Sequence, residues 1–76
     1  MFKKDDIVQV KYKNDEKWTY KILDTTFNQG TYEVVCIDCP SKKWIGRQFT
    51  EYFSPTLFPK LLNGPNKGHT LTKIFA

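Results

Sequence analysis

Apolar and polar residues alternate along much of the first half of the chain. In Asp6–Tyr12 (DIVQVKY), Val8, Val10 and Tyr12 fall on one face and Gln9 and Lys11 on the other. That period of two belongs to a half-buried strand. After a polar loop (Lys13–Glu16), Lys17–Asp24 alternates again, with Trp18, Tyr20 and Ile22 opposite Thr19 and Lys21. Asn28–Gly30 has the residues of a turn. Thr31–Asp38 then sets Tyr32, Val34 and Cys36 against Glu33, Val35 and Ile37. Pro40-Ser41-Lys42 predicts a second turn, since proline cannot donate to a ladder.

Beyond that turn the pattern is weaker. Lys43–Phe49 (KWIGRQF) reads as a fourth strand, with Gly46 marking a bulge or sharp bend. TEYFSP reads as a short helical turn and TLFPKLL as an irregular crossing, because Pro55 and Pro59 exclude a long helix. Asn63–His69 is linker-like, and the TLTKIF that follows reads as a fifth strand or a tail. The expected organisation is one small domain over residues 1–62 and a flexible linker with a strand or tail over 63–76.

Composition agrees with the alternation. The chain of 76 residues holds six Phe, four Tyr and two Trp but one Ala, which favours strands over a helical bundle. The predicted class is all-β: four to five short antiparallel strands and a short helical turn. A chain this short hides a sheet face most simply by curling the sheet into a small barrel. The opening strand DIVQVKY, the charged loop after it, three further meandering strands and the turn TEYF resemble the Src-homology-3-like barrels, including the Tudor and KOW modules, over roughly Asp5–Leu62. Lys4-Asp5 stands where a glycine often precedes that opening strand. The resemblance implies a fold and leaves function to be argued from the residues.

Cys36 and Cys39 are the obvious chemical candidates. One pair of thiols with a lone histidine, His69, falls short of the four ligands of a zinc site. Redox chemistry favours thiols that open a helix, and Pro40 with the lysines beyond it opens none. The favoured reading is a strand running into a turn, with no metal and no cofactor. His69 lies in the linker-like stretch with nothing to hold it. No nucleophile elbow, paired-acid pattern or phosphate loop is present, so an enzyme is not expected. The first residues, Met1–Asp6, turn charged before any apolar run builds, and no run reaches the length of a membrane span. The expected location is cytoplasmic.

Charge adds direction. The net charge is +4, and residues 24–38 carry −3 between two basic arms. Trp18 has Lys17 beside it and Lys21 nearby, and Trp44 lies between Lys42-Lys43 and Arg47. Rings stack on bases while cations hold phosphates. The leading expectation is therefore nucleic-acid binding through Lys11, Lys13, Trp18, Lys21, Lys42, Lys43, Trp44 and Arg47. Eleven lysines to one arginine point to backbone-dominated, weakly sequence-specific contact with DNA or RNA. The competing reading makes one or both tryptophans core residues and the lysines a solvated rim, with Tyr52 or Phe53 plugging the barrel.

The alternative function is a protein-binding accessory factor or inhibitor of viral type. It would act through an open edge strand or the apolar residues Leu57, Phe58, Leu61 and Leu62. A third arrangement is an aromatic cage for a methylated cation, built from Trp18, Tyr20 or Trp44 with Asp38 or Glu16.

Overall fold

The computed structural model describes residues 2–26, 30–57 and 59–64. Its strands are β1 (Ile7–Lys11), β2 (Lys17–Thr25), β3 (Thr31–Asp38), β4 (Gln48–Tyr52) and β5 (Lys60–Leu61). They form one antiparallel sheet in the order β4-β3-β2-β1-β5. The protein is thus mostly β. Among the described residues, no helix is long and apolar enough to cross a membrane.

The alternation of the first three strands is expressed as burial, except that Thr19, expected on the polar face of β2, is also buried where the β2–β3 ladder shifts register. Val8 and Val10 of β1, Tyr20 and Ile22 of β2, and Tyr32, Val34 and Cys36 of β3 are all buried. Register brings these faces together: Val8 opposes Tyr20, Tyr20 opposes Cys36, and Ile22 opposes Val34. The β2–β3 ladder shifts register between Ile22 and Asp24, an irregularity that bends a strand pair. Phe2 and Phe53 cover the core from outside the strands; both are buried, whereas Tyr52 is 57% exposed. Of the two, Phe53 is therefore the one that fills the core.

The second half departs from the expected boundaries. Of the expected strand Lys43–Phe49, only Gln48 and Phe49 are strand. Lys42–Trp44 is a 3-10 turn, closed by successive three-residue bonds: Trp44 N–H to Ser41 O, Ile45 N–H to Lys42 O and Arg47 N–H to Trp44 O, at 3.2, 3.2 and 3.1 Å. Gly46, at φ +87°, reverses the chain there, a conformation that suits glycine. The fourth strand starts only at Gln48 and takes in Thr50–Tyr52, a stretch expected to be helical. The helical turn lies later, at Pro55–Leu57.

The fifth strand, Lys60–Leu61, pairs with β1 through Val8 and Gln9. It arises inside the segment read as an irregular crossing, and TLTKIF lies outside the described residues. Asn63, assigned to the linker, clamps the end of β5 to β1. Its Oδ1 accepts from Ile7 N–H at 2.8 Å and its Nδ2 donates to Asp5 O at 3.2 Å. A side-chain amide there supplies the bonds that a longer β5 would have made.

Candidate binding groove

Aromatic rings run in contact from the core to the surface. Phe2, Tyr32 and Phe53 form a buried triangle with centroids 5.6–6.3 Å apart. Phe53 meets Tyr20 at 5.8 Å, Tyr20 stacks on Trp18 at 6.1 Å, and Trp18 meets the edge of Tyr12 at 6.0 Å. At the Tyr12 end the series opens into a groove of about 680 Å³.

Five elements build the groove. The β1–β2 loop contributes Tyr12, Lys13, Asn14 and Glu16, with Trp18 and Tyr20 following on β2. The loop is tight: Tyr12 N–H donates to Glu16 O and Asp15 N–H to Tyr12 O, both at 2.9 Å, and Asp15 takes a positive φ of 65°. Trp44 comes from the 3-10 turn after β3, Phe49 and Glu51 from β4, and Leu57 from the turn before β5. Trp44 and Phe49 touch at 5.8 Å. Across the ladder Phe49 opposes Val34 and Glu51 opposes Tyr32, so both point to the core side of the sheet. Glu51 is thus a carboxylate at an inward position.

The polar groups inside are few. Tyr12 and Tyr20 join their hydroxyls at 3.0 Å, and Trp18 Nε1 donates to Glu16 Oε1 at 3.4 Å. Burial drives both tyrosine hydroxyls above their ordinary pKa, Tyr20 very far above, and the Glu51 charge adds to the rise. These phenols stay protonated. Burial also raises the Glu51 carboxyl above its ordinary value. Among the described residues, no hydrogen bond or ion pair reaches that carboxylate.

The expected nucleic-acid residues divide between the groove and the outer surface. Lys13, Trp18 and Trp44 line the groove. Lys43 Nζ and the Arg47 guanidinium lie over the Trp44 ring at 5.4 and 5.6 Å, and Arg47 Nε donates to Lys43 O. Lys42 is exposed in the same turn. Lys11 and Lys21 face away from the core and pair with Asp15 and Asp5 at 3.3 and 3.7 Å.

Of the apolar candidates, Leu57 lines the groove, Leu61 is buried in the core, Leu62 is half-buried, and Phe58 lies outside the described residues. Glu16 joins the rings; Asp38 does not. Tyr12, Phe49 and Glu51 were not singled out. The available signal was the alternation Phe49-Glu51-Phe53, visible once those residues are placed on one strand.

Cys36 is a buried core residue whose thiol is pushed up to about 11, first by burial and then by its neighbour Cys39. Its Sγ contacts Asp38 O at 3.7 Å, and Cys39 Sγ donates to Ser41 O at 2.8 Å. Among the described residues, no three Cys, His, Asp or Glu side chains gather as a metal set; His69 lies outside them. Neither a family model, nor a curated protein, nor a solved structure matches the chain.

Proposed function

We propose that the chain is a non-catalytic binding module, built as a Src-homology-3-like small barrel, that engages a segment of a protein partner in the aromatic groove. The barrel assignment is supported by the meander β1–β4, the short turn after it, and the return of β5 to β1. The non-catalytic part is supported by phenols and a thiol poorly suited to proton transfer or nucleophilic attack at neutral pH. The groove phenols and the Cys36 thiol are all shifted up by burial.

One observation carries the choice of ligand class: the Glu51 carboxylate stands inside the groove among the rings. A nucleic-acid strand stacking its bases on Trp18 and Phe49 would carry its phosphates past that charge and past Glu16. A protein segment can fill the same apolar space without that repulsion. The groove is also concave and ring-lined, the usual form of a site that takes side chains.

The test is capture on the immobilised full chain from nuclease-treated extract, compared with Leu57→Ser. A discrete protein retained by the wild type and lost by the variant is the expected result. No retained protein, with single-stranded RNA or DNA bound at low salt, refutes the reading.

The nucleic-acid reading has one specific observation in its favour: Lys42, Lys43 and Arg47 gather around Trp44. It requires that neutralising all three (Lys42→Gln, Lys43→Gln, Arg47→Gln) remove a salt-sensitive affinity for short DNA or RNA. Unchanged affinity in that triple variant sinks it.

A further inference from the structure

Resting on the protein-partner reading, we infer that the groove selects a cationic side chain on the partner, an ammonium or a guanidinium, with Glu51 as its counter-charge. The position of Glu51 is the starting point. On β4 it occupies an inward place between Phe49 and Phe53, where an apolar side chain would bury at no electrostatic cost. Its carboxylate is half-buried beside Tyr12 and Tyr20, and none of the described cations pairs with it.

The rings around it supply the second half of a cation site. An aromatic face carries negative charge and attracts a cation held within about 6 Å of its centroid. Trp44 already does this with the chain's own residues, holding Lys43 and Arg47 at 5.4 and 5.6 Å. Among the described residues, no lysine or arginine lies over the rings of Tyr12, Trp18 and Phe49, which line the groove beside the buried Tyr20. A partner's lysine or arginine entering there would meet ring faces along its stem and the carboxylate at its head.

Other occupants fit less well. An anion would meet Lys13 in the lining but would face both Glu51 and Glu16. A divalent metal ion needs six or more oxygens, and no such donor set converges among the described residues. An apolar side chain fills the volume but leaves the carboxylate desolvated and unpaired.

The test uses two acetyl- and amide-blocked peptides, Gly-Leu-Lys-Leu-Gly and the same sequence with norleucine for lysine. Each is titrated into the full chain and followed by tryptophan fluorescence and indole N–H shifts. The proteins are the wild type, Glu51→Gln, and Glu33→Gln, which removes an equal charge from the exposed face of β3. The expected result is that wild type prefers the lysine peptide by about 10- to 100-fold, the range of a charge-assisted pair. Glu51→Gln should abolish that preference, and Glu33→Gln should keep it.

Equal affinity for both peptides overturns the cation inference and leaves the groove reading standing. Binding of neither overturns both. Equal loss in Glu33→Gln and Glu51→Gln means that only net charge is felt, and the inference falls. Should Glu51→Gln fail to fold, the peptide pair on wild type still decides.

Discussion

Phe53→Leu tests whether the series of rings is what holds the groove in shape. Phe53 is fully buried and touches three rings, Tyr32 at 5.6 Å, Tyr20 at 5.8 Å and Phe2 at 6.3 Å. Among the described residues, it alone links the buried triangle to the groove rings, through Tyr20. Leucine keeps most of the apolar burial, so the loss is chiefly of ring–ring contact, roughly 0.5–1.5 kcal/mol per pair. Three pairs that share one ring do not add fully, so the expected cost is about 2–3 kcal/mol, below the ~3–5 kcal/mol of truncation to alanine. A domain of this size has a total stability of only about 4–11 kcal/mol. Each kcal/mol moves its melting temperature by about 4–8 °C, so a drop of roughly 10–20 °C is expected in thermal denaturation followed by circular dichroism. The near-ultraviolet aromatic signal should weaken with it. A drop under about 4 °C would refute the reasoning, since the rings would then pack as well around an aliphatic side chain.

Two further outcomes are expected. Asn63→Ala leaves Ile7 N–H and Asp5 O without their partners; it should cost about 1–2 kcal/mol and speed hydrogen exchange at Ile7, and unchanged exchange would contradict the clamp. Glu51→Gln should stabilise the free protein at neutral pH. The folded carboxyl has a raised pKa, so its contribution favours folding below the unfolded pKa and is lost as pH rises through the folded one. The variant's advantage in melting temperature should therefore be present at pH 7 and vanish by about pH 3, below the ordinary carboxylate range; a wild type that melts higher at pH 7 would show that Glu51 has a partner in the free protein.

The first three strands were legible because every inward place on them is apolar. Val8-Val10, Tyr20-Ile22 and Tyr32-Val34-Cys36 each repeat at period two. The fourth was not, and for the reason that makes it interesting. In Phe49-Thr50-Glu51-Tyr52-Phe53 a charge occupies the inward place and an exposed tyrosine the outward one, so the period is inverted at its middle and the stretch resembles a turn. Meanwhile Trp44 and Ile45 supply apolar character to a segment that is not a strand. The short β5 was illegible because a two-residue strand has no period at all; its placement depends on Leu61 reaching the core and on the Asn63 clamp. The chain's charge pattern says little about which side of the fold a charge reaches. The basic arms suggested a cationic surface, yet Lys11 and Lys21 pair with aspartates, and the groove sets two glutamates beside Lys13.

A free protein that keeps an ionised carboxylate among rings is less stable than it could be, because desolvation acts on the folded state and is absent from the unfolded one. A cation arriving in the groove reverses the sign of that contribution. It meets a charge already stripped of part of its water and held by a strand, so little reorganisation opposes the pairing. Binding and stability are then coupled through one residue. The stabilisation that a lysine peptide gives to the wild type should exceed what it gives to Glu51→Gln at the same peptide concentration, by RT times the logarithm of the ratio of their affinities once the peptide is well above both dissociation constants. That excess should shrink as pH falls and Glu51 takes up a proton, since a neutral carboxyl neither repels the rings' electrons nor attracts an ammonium. The raised pKa makes the loss begin at a higher pH than for an ordinary exposed glutamate, so the burial that makes the groove want a cation also brings forward its release as pH falls.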